Sequence, residues 1–304
     1  MLIDMPKKVL IAGGSGSIGT QLTKLLLEKN FSVSWLSREN KTTEGVKTYL
    51  WNYEENIIDD NALNNTEIIV NLAGAGIADK NWSKERKKIL KESRIKTTNL
   101  LLNKIEEKPN DVKTYISASA TGYYGYDSGS IEKKEGSRFG DDFLATLTKE
   151  WEAAADGFSS KGIRTVKLRT GFVVGNNQNG WEKIAKVVKT GFGAAVGSGD
   201  QYMSWVHIHD LCRIYLWAIE NEKAEGVYNA VTPNPVTNKE FTRLAAQALK
   251  RPFFMPNVPG FILRLMYGEI ASALLGSSRI SSEKIQNEGF QFDYPTLTEA
   301  LREI

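Results

Sequence analysis

Apolar positions in the first half of the chain follow two alternating rhythms. Short runs of nearly unbroken apolar character have the length and β-branched content of buried strands: Lys8-Val9-Leu10-Ile11-Ala12, Phe31 to Leu36, Val46 to Trp51, Glu67 to Leu72, Thr114 to Ser117 and Arg164 to Leu168. Between them, Ile18 to Lys29 and the segments 83–106 and 141–160 carry apolar residues at helical spacing. Continuous apolar strands separated by helices predict an α/β protein, a doubly wound parallel sheet covered on both faces. After Gly171 the rhythm breaks. Glycines gather at Gly191, Gly193, Gly197 and Gly199, and prolines at Pro233, Pro235, Pro252, Pro256 and Pro259, which is loop chemistry around short helices. The expected division is a nucleotide-type domain over 1–175, completed by parts of 205–232 that include a helix Leu211 to Ile219. A smaller C-terminal lobe on the substrate side takes 176–204 and 233–304.

Composition narrows the class. With 41% hydrophobic and 25% charged residues, the 304-residue chain has the profile of a globular protein rather than a disordered one. Its single cysteine, Cys212, cannot form an intramolecular bridge, which fits a reducing compartment, and a cytoplasmic location is expected. Only two histidines, His207 and His209, are present, so no zinc site is expected and no metal is assigned. A net charge of +3 gives no strong field for nucleic acid, and the basic run Lys84, Arg86, Lys87, Lys88, Lys91, Arg94, Lys96 reads as a solvated helix face, Arg94 alone having a further reading. The most apolar late segment, Phe261 to Leu275, is interrupted by Arg264 and Glu269, too short and charged to span a bilayer, so no membrane partner is expected. The start, MLIDMPKK, lacks the apolar stretch and cleavage site of a secretory signal.

Gly13-Gly14-Ser15-Gly16-Ser17-Ile18-Gly19 holds G-x-G-x-x-G at 14, 16 and 19, after a strand and at the opening of a helix. Glycines let the backbone turn tightly and approach a pyrophosphate, and the helix N-terminus supplies unpaired N–H groups. The sheet is therefore expected to be of Rossmann type, with Gly13, Gly16, Ser17, Ile18 and Gly19 around the cofactor phosphates. An acid at the end of the second strand would select NAD through its ribose 2′-OH. Here that strand ends in Ser37-Arg38, and a guanidinium grips a 2′-phosphate with paired hydrogen bonds. NADP is expected over NAD. Glu39 is the one residue that argues the other way.

Further strings make the chain resemble a known family. Asn71-Leu72-Ala73-Gly74 after the fourth strand, and Ser117-Ala118-Ser119 with Tyr124-Gly125 after the fifth, resemble the extended short-chain dehydrogenase/reductases of the NAD-dependent epimerase/dehydratase superfamily. Leu72 to Asp79 with Trp82, Ser93-Arg94-Ile95, Ser117 to Gly125, Trp151 to Ala155 and Met203 to Asp210 are similar to one atypical branch, whose members end in a small domain of unknown function, here about Asn234 to Ile304. The resemblance covers essentially the whole chain. It implies that Ala73, Gly74 and Ser117 line the cofactor and that Arg94 reaches towards a substrate anion.

The chain departs from that family at its chemistry. Tyr-x-x-x-Lys, the proton donor and its pKa-lowering partner, belongs on the helix after the fifth strand. The two positions fall at Phe143 or Leu144 and at Leu147 or Thr148. Lys149 has Ala145 four residues before it. Tyr124 and Ser119 are the substitutes, with Tyr123 and Ser117 beside them and Lys80, Arg94 and Arg169 as cations that could lower a phenol pKa. In Trp205-Val206-His207-Ile208-His209-Asp210, His207 reads as a structural hydrogen-bonder and Asp210 as the N-cap of the helix starting at Leu211. Trp82 and Trp205 are expected to wall a substrate pocket, with Trp181 and the apolar stretch Pro252 to Tyr267 as further walls. Two functions stay open: an NADP-dependent oxidoreductase or epimerase acting on an unknown small molecule, or a catalytically silent NADP-binding sensor or partner-binding module. Monomer and homodimer are both open.

Overall fold

A computed structural model of the chain describes residues 6–39, 43–127, 129 and 131–304. The reading of no secretory signal concerns mainly Met1 to Met5, which lie outside the described residues. The strands and helices follow in the order β1 (Lys8–Ala12), α1 (Ser17–Glu28), β2 (Ser32–Ser37), β3 (Val46–Asn52), β4 (Ile57–Ile58), β5 (Ile68–Asn71), α2 (Lys84–Glu107) and β6 (Thr114–Ala120). A 3-10 turn over Thr121–Tyr124 leads to α3 (Phe143–Ser159), β7 (Arg164–Thr170), β8 (Phe172–Val174), α4 (Asn179–Lys189), β9 (Tyr202–Met203), β10 (Trp205–His207), α5 (Ile208–Glu220) and β11 (Gly226–Ala230). The remainder is β12 (Val236–Thr237), α6 (Asn238–Ala248), α7 (Gly260–Tyr267), α8 (Ile270–Leu275), α9 (Glu283–Asn287) and α10 (Leu297–Arg302).

The central sheet has eight strands in the order β11-β7-β6-β5-β1-β2-β3-β4. All its pairings are parallel except β3 with β4. The order reverses between β1 and β5, the crevice where a doubly wound sheet receives its ligand. Period-two alternation explains why continuous apolar strands are needed. Val9 and Ile11 point into one core with α1 and α5, whereas Leu10 and Ala12 point into the other. In that second core Tyr115 of β6 stacks on Phe158 of α3, ring centroids 3.6 Å apart.

Residues from the segments expected to form a smaller lobe meet in a separate apolar cluster, Trp181, Phe241 and Leu301 around Trp205. Ile285 and Phe290, in the segment assigned to that lobe, pack into the main core instead. Asp210 requires a correction. Helix α5 begins at Ile208 with His207 as its N-cap residue, so Asp210 lies inside the first turn. Its fully buried carboxylate accepts the backbone N–H groups of Asp293 and Tyr294 and the Arg213 guanidinium, each at 2.9 Å, and so fastens the C-terminal segment to α5. Among the described residues no helix is long and apolar enough to cross a membrane.

Candidate functional site

The carboxyl ends of β2, β1, β5 and β6 form one edge, and the expected site residues are distributed along it. At the centre, the chain leaves β1 through Gly13, whose φ of +80° suits glycine best. The glycines divide their tasks differently from the G-x-G-x-x-G reading. A Cβ at Gly14 would fall 2.2 Å from the buried Trp35 ring, so Gly14 makes room for a core side chain. A Cβ at Gly19 would lie 2.6 Å from Gly13 O and Gly14 Cα, so Gly19 lets helix and loop touch. Gly16 is the N-cap of α1, contributes no side-chain cap, and no acid stands in the first turn. Among the described residues no side chain caps the first turn, so its N–H groups and the positive end of the helix dipole suit a ligand's oxyanions. These features fit a dinucleotide pyrophosphate.

At the end of β2, Ser37 is buried and its Oγ accepts the Glu39 N–H at 3.3 Å, while Arg38 is exposed. At the end of β5, Asn71 is fully buried and fixes the turn that follows. Its amide donates to Tyr115 Oη at 3.0 Å, and its Oδ1 accepts the Ala73 N–H at 3.1 Å. Ser93 Oγ accepts the Ala75 N–H at 3.0 Å, so the Ser93-Arg94 string holds the Ala73-Gly74-Ala75 turn from α2. Arg94 is 9% exposed and donates to Leu90 O and Ala75 O, its guanidinium above the Trp151 ring.

The end of β6 is closed. Ser119 Oγ donates to Glu152 Oε1 at 2.6 Å, and Arg169 of β7 grips both oxygens of Glu152 at 2.7 Å. The same guanidinium donates to Tyr124 Oη at 2.9 Å, and Tyr124 donates to Asn229 Oδ1 at 2.7 Å. Arg169 also lies 3.3 Å from the centroid of the Tyr123 ring. Of the three candidate cations, Arg169 is thus the one that bonds Tyr124. It does not make the phenol acidic: burial dominates and pushes Tyr124 up to about 12, against the guanidinium's pull. For Arg169 burial opposes the charge, but the Glu152 carboxylate outweighs it and the guanidinium stays protonated. Ser117 is buried and donates to Ala118 O at 2.9 Å. On α3, Leu144 stands two turns and Thr148 one turn before Glu152, and Thr148 Oγ1 donates to Leu144 O at 2.8 Å.

The tryptophans need correcting. Trp205 is fully buried, its indole donating to Asn234 O, so it supports the apolar cluster around it and presents no surface to a substrate. Trp181 is buried in the same cluster. Trp82 is nearly buried among α2, α3 and α8, donating to Ile77 O at 2.9 Å and packed edge-on against Phe143. His207 is buried against Tyr294, ring centroids 4.2 Å apart, and its Nδ1 has no hydrogen-bond partner among the described residues.

Sequence reasoning missed Glu152, Asn229 and Gln178. Gln178 is buried at the start of α4, and its Oε1 accepts from Ser17 Oγ at 3.2 Å, across 161 positions. No spacing rule announces such a pair. Among the described residues no group of His, Cys, Asp and Glu is placed to hold a metal ion.

The edge therefore defines a dinucleotide-binding protein of Rossmann type, open at its phosphate loop and closed at β6. Comparison with known proteins gives the family. Residues 9–230 match the NAD dependent epimerase/dehydratase family, and residues 258–304 match a domain of unknown function, DUF1731. The chain belongs to the NAD dependent epimerase/dehydratase family. It is 35% identical to an epimerase family protein of Mycobacterium leprae over 294 residues, covering 96% of this chain and 94% of that one. An epimerase family protein of Staphylococcus aureus is 31% identical over 298 residues, with 98% and 99% covered. Human epimerase family protein SDR39U1, solved with NADPH, is 33% identical, with 98% of each chain covered and a TM-score of 0.87. UDP-glucose 4-epimerase of Thermus thermophilus, solved with NAD, shares the fold at 20% identity and a TM-score of 0.76, with 97% of this chain and 96% of that one covered.

Proposed function

We propose that the protein binds NADP(H) and exchanges hydride between the nicotinamide and a small molecule, as an oxidoreductase or epimerase working without Tyr-x-x-x-Lys. The observation that carries the cofactor reading is the uncapped N-terminus of α1 behind Gly13, with Arg38 exposed at the end of β2. NADPH in the human relative supports the same choice. When bound, the nicotinamide supplies or accepts the hydride. Ser119 is the polar group proposed to meet the reacting oxygen. Because its proton is committed to Glu152, it offers lone pairs, which suits a substrate hydroxyl better than a carbonyl. Tyr124 and Arg169 are positioning residues that hold Glu152 and the β6 turn in place.

One observation favours a second reading, a catalytically silent NADP(H)-binding protein. The hydroxyl protons of Ser119 and Tyr124 are both already engaged inside the protein. A two-stage experiment separates these readings. Titration with NADPH and NADH, followed by nicotinamide fluorescence, is expected to favour NADPH at least tenfold, about 1.4 kcal/mol, with Arg38→Ala erasing the preference. Equal binding of both cofactors by the wild type defeats the NADP assignment. A panel of alcohols and carbonyl compounds then tests turnover. Activity lost in Ser119→Ala with NADPH affinity intact supports the enzyme, whereas no turnover with any substrate supports the silent reading.

A further inference from the structure

Arg94 carries a charge that no acidic group among the described residues neutralises. Its guanidinium is 9% exposed, and its hydrogen bonds go to two backbone carbonyls, Leu90 O at 3.0 Å and Ala75 O at 3.1 Å. Among the described residues its charged neighbour is another cation, Arg86, which is itself paired with Asp79 at 3.8 Å. Burial lowers the Arg94 pKa to about 10, with Arg86 adding to the effect, so the group still carries its charge at neutral pH. Its aromatic partner, the Trp151 ring, lies beneath it at 5.1 Å, and the Trp151 indole N–H has no acceptor among the described residues. Two buried donors therefore stand together without an anion, an arrangement that proteins seldom leave unfilled.

Access comes through Gly74. This residue is exposed at the end of β5, and a Cβ on it would lie 3.1 Å from Arg94 Cζ. The bare glycine leaves the guanidinium reachable from the crevice edge. Along that edge the cofactor phosphates have other receptors, the N-terminus of α1 at β1 and Arg38 at β2. The end of β5 lies one strand further on, towards Ser119.

We infer that Arg94 is an anion receptor for the substrate, and that the substrate is a small molecule bearing a carboxylate or phosphate close to its reacting carbon. This rests on the proposed cofactor site, because it takes the nicotinamide half to lie at the β5–β6 end. A planar fork of donors recognises either oxyanion with paired hydrogen bonds.

The test titrates malonate and inorganic phosphate into the NADPH complex at constant ionic strength, with chloride as control, and reads nicotinamide and tryptophan fluorescence. Wild type is expected to bind one of the two saturably. Arg94→Gln is expected to weaken that binding at least tenfold while NADPH affinity stays within twofold. Gly74→Ala keeps the charge but crowds the guanidinium, and is expected to weaken the anion as well; it decides the matter if Arg94→Gln fails to fold. Saturable binding that both variants retain overturns the inference, as does a wild type that binds NADPH but neither anion. A tenfold loss of NADPH affinity in Arg94→Gln also overturns it, by moving Arg94 to the cofactor. If wild type binds no NADPH, the cofactor reading fails separately, and the tryptophan signal still shows whether Arg94 holds an anion.

Discussion

The two halves of the crevice edge are built on opposite principles. At β1 and β2 the described residues present a helix start without a side-chain cap, a left-handed glycine and an exposed arginine. At β6 and β7 the strong donors already have acceptors, with Ser119, Glu152, Arg169, Tyr124 and Asn229 joined in one buried chain. An open edge keeps its hydrogen-bonding capacity for a ligand, whereas a closed one commits its hydrogen bonds to its own geometry. The contrast teaches that one sheet edge can hold hydrogen-bonding capacity in reserve at one end and spend it on internal structure at the other.

The closed half should fail as a structure when it is cut. Glu152→Ala strips the carboxylate from Arg169 in a place where both partners are nearly buried, and leaves a guanidinium without its counter-charge. A loss of about 3–5 kcal/mol is expected, measured by urea denaturation. A loss below about 1 kcal/mol would show that water reaches the pair and that the half is not closed.

Acid should find a different weak point. Burial holds the His207 imidazole down to about 4 from its ordinary 6.5, with His209 adding repulsion. Below the ordinary value the unfolded chain binds a proton that the folded one refuses, so stability is complete above pH 6.5 and falls as pH drops towards 4. The loss is on the order of 3 kcal/mol. His207→Gln should flatten the stability profile across that window in thermal melts, leaving the Glu152 network untouched. An unchanged profile would place the acid sensitivity elsewhere.

The open half should fail as a binding site. Gly19→Val drives a branched side chain into Gly13 O, where even a Cβ would lie at 2.6 Å. NADPH affinity is expected to fall about a hundredfold, close to ~2.7 kcal/mol, read by fluorescence titration beside a circular dichroism melt. Intact affinity would mean that the loop is not the phosphate site.

Legibility follows the same division. The open half is readable because its physics is local: strand, glycine loop and helix occur within residues 8–28 of the sequence, and the apolar run that predicts β1 has the observed bounds. The closed half is assembled from β6, α3, β7 and β11, and no spacing rule joins Ser119 to Glu152 or Tyr124 to Asn229. The sequence shows that Tyr-x-x-x-Lys is missing but not what fills its place. The tryptophans mislead for a related reason. Trp205 has the size and polarity of a pocket wall, yet its burial depends on β8, α6 and α10, which come together only through the fold. Asp210 misleads by its neighbourhood, since a helix that starts three residues early turns a cap into an internal clasp.

The smallest expected effect sharpens the comparison most. Gln178 stands at the start of α4, far along the chain from the phosphate loop, but touches the open half, its Oε1 accepting from Ser17 Oγ at 3.2 Å. Gln178→Ala removes this bond and the long one from Gln178 Nε2 to Asn176 O at 3.4 Å, both neutral, and the Ser17 hydroxyl, at the exposed start of α1, can turn to water. Stability should therefore fall by only about 1 kcal/mol, and NADPH affinity should change no more than about threefold, under about 0.7 kcal/mol. If affinity instead falls tenfold, the bond is holding Ser17 in the geometry that the phosphates require. The open half would then depend on the residue before α4 as well as on its own loop, through a single amide.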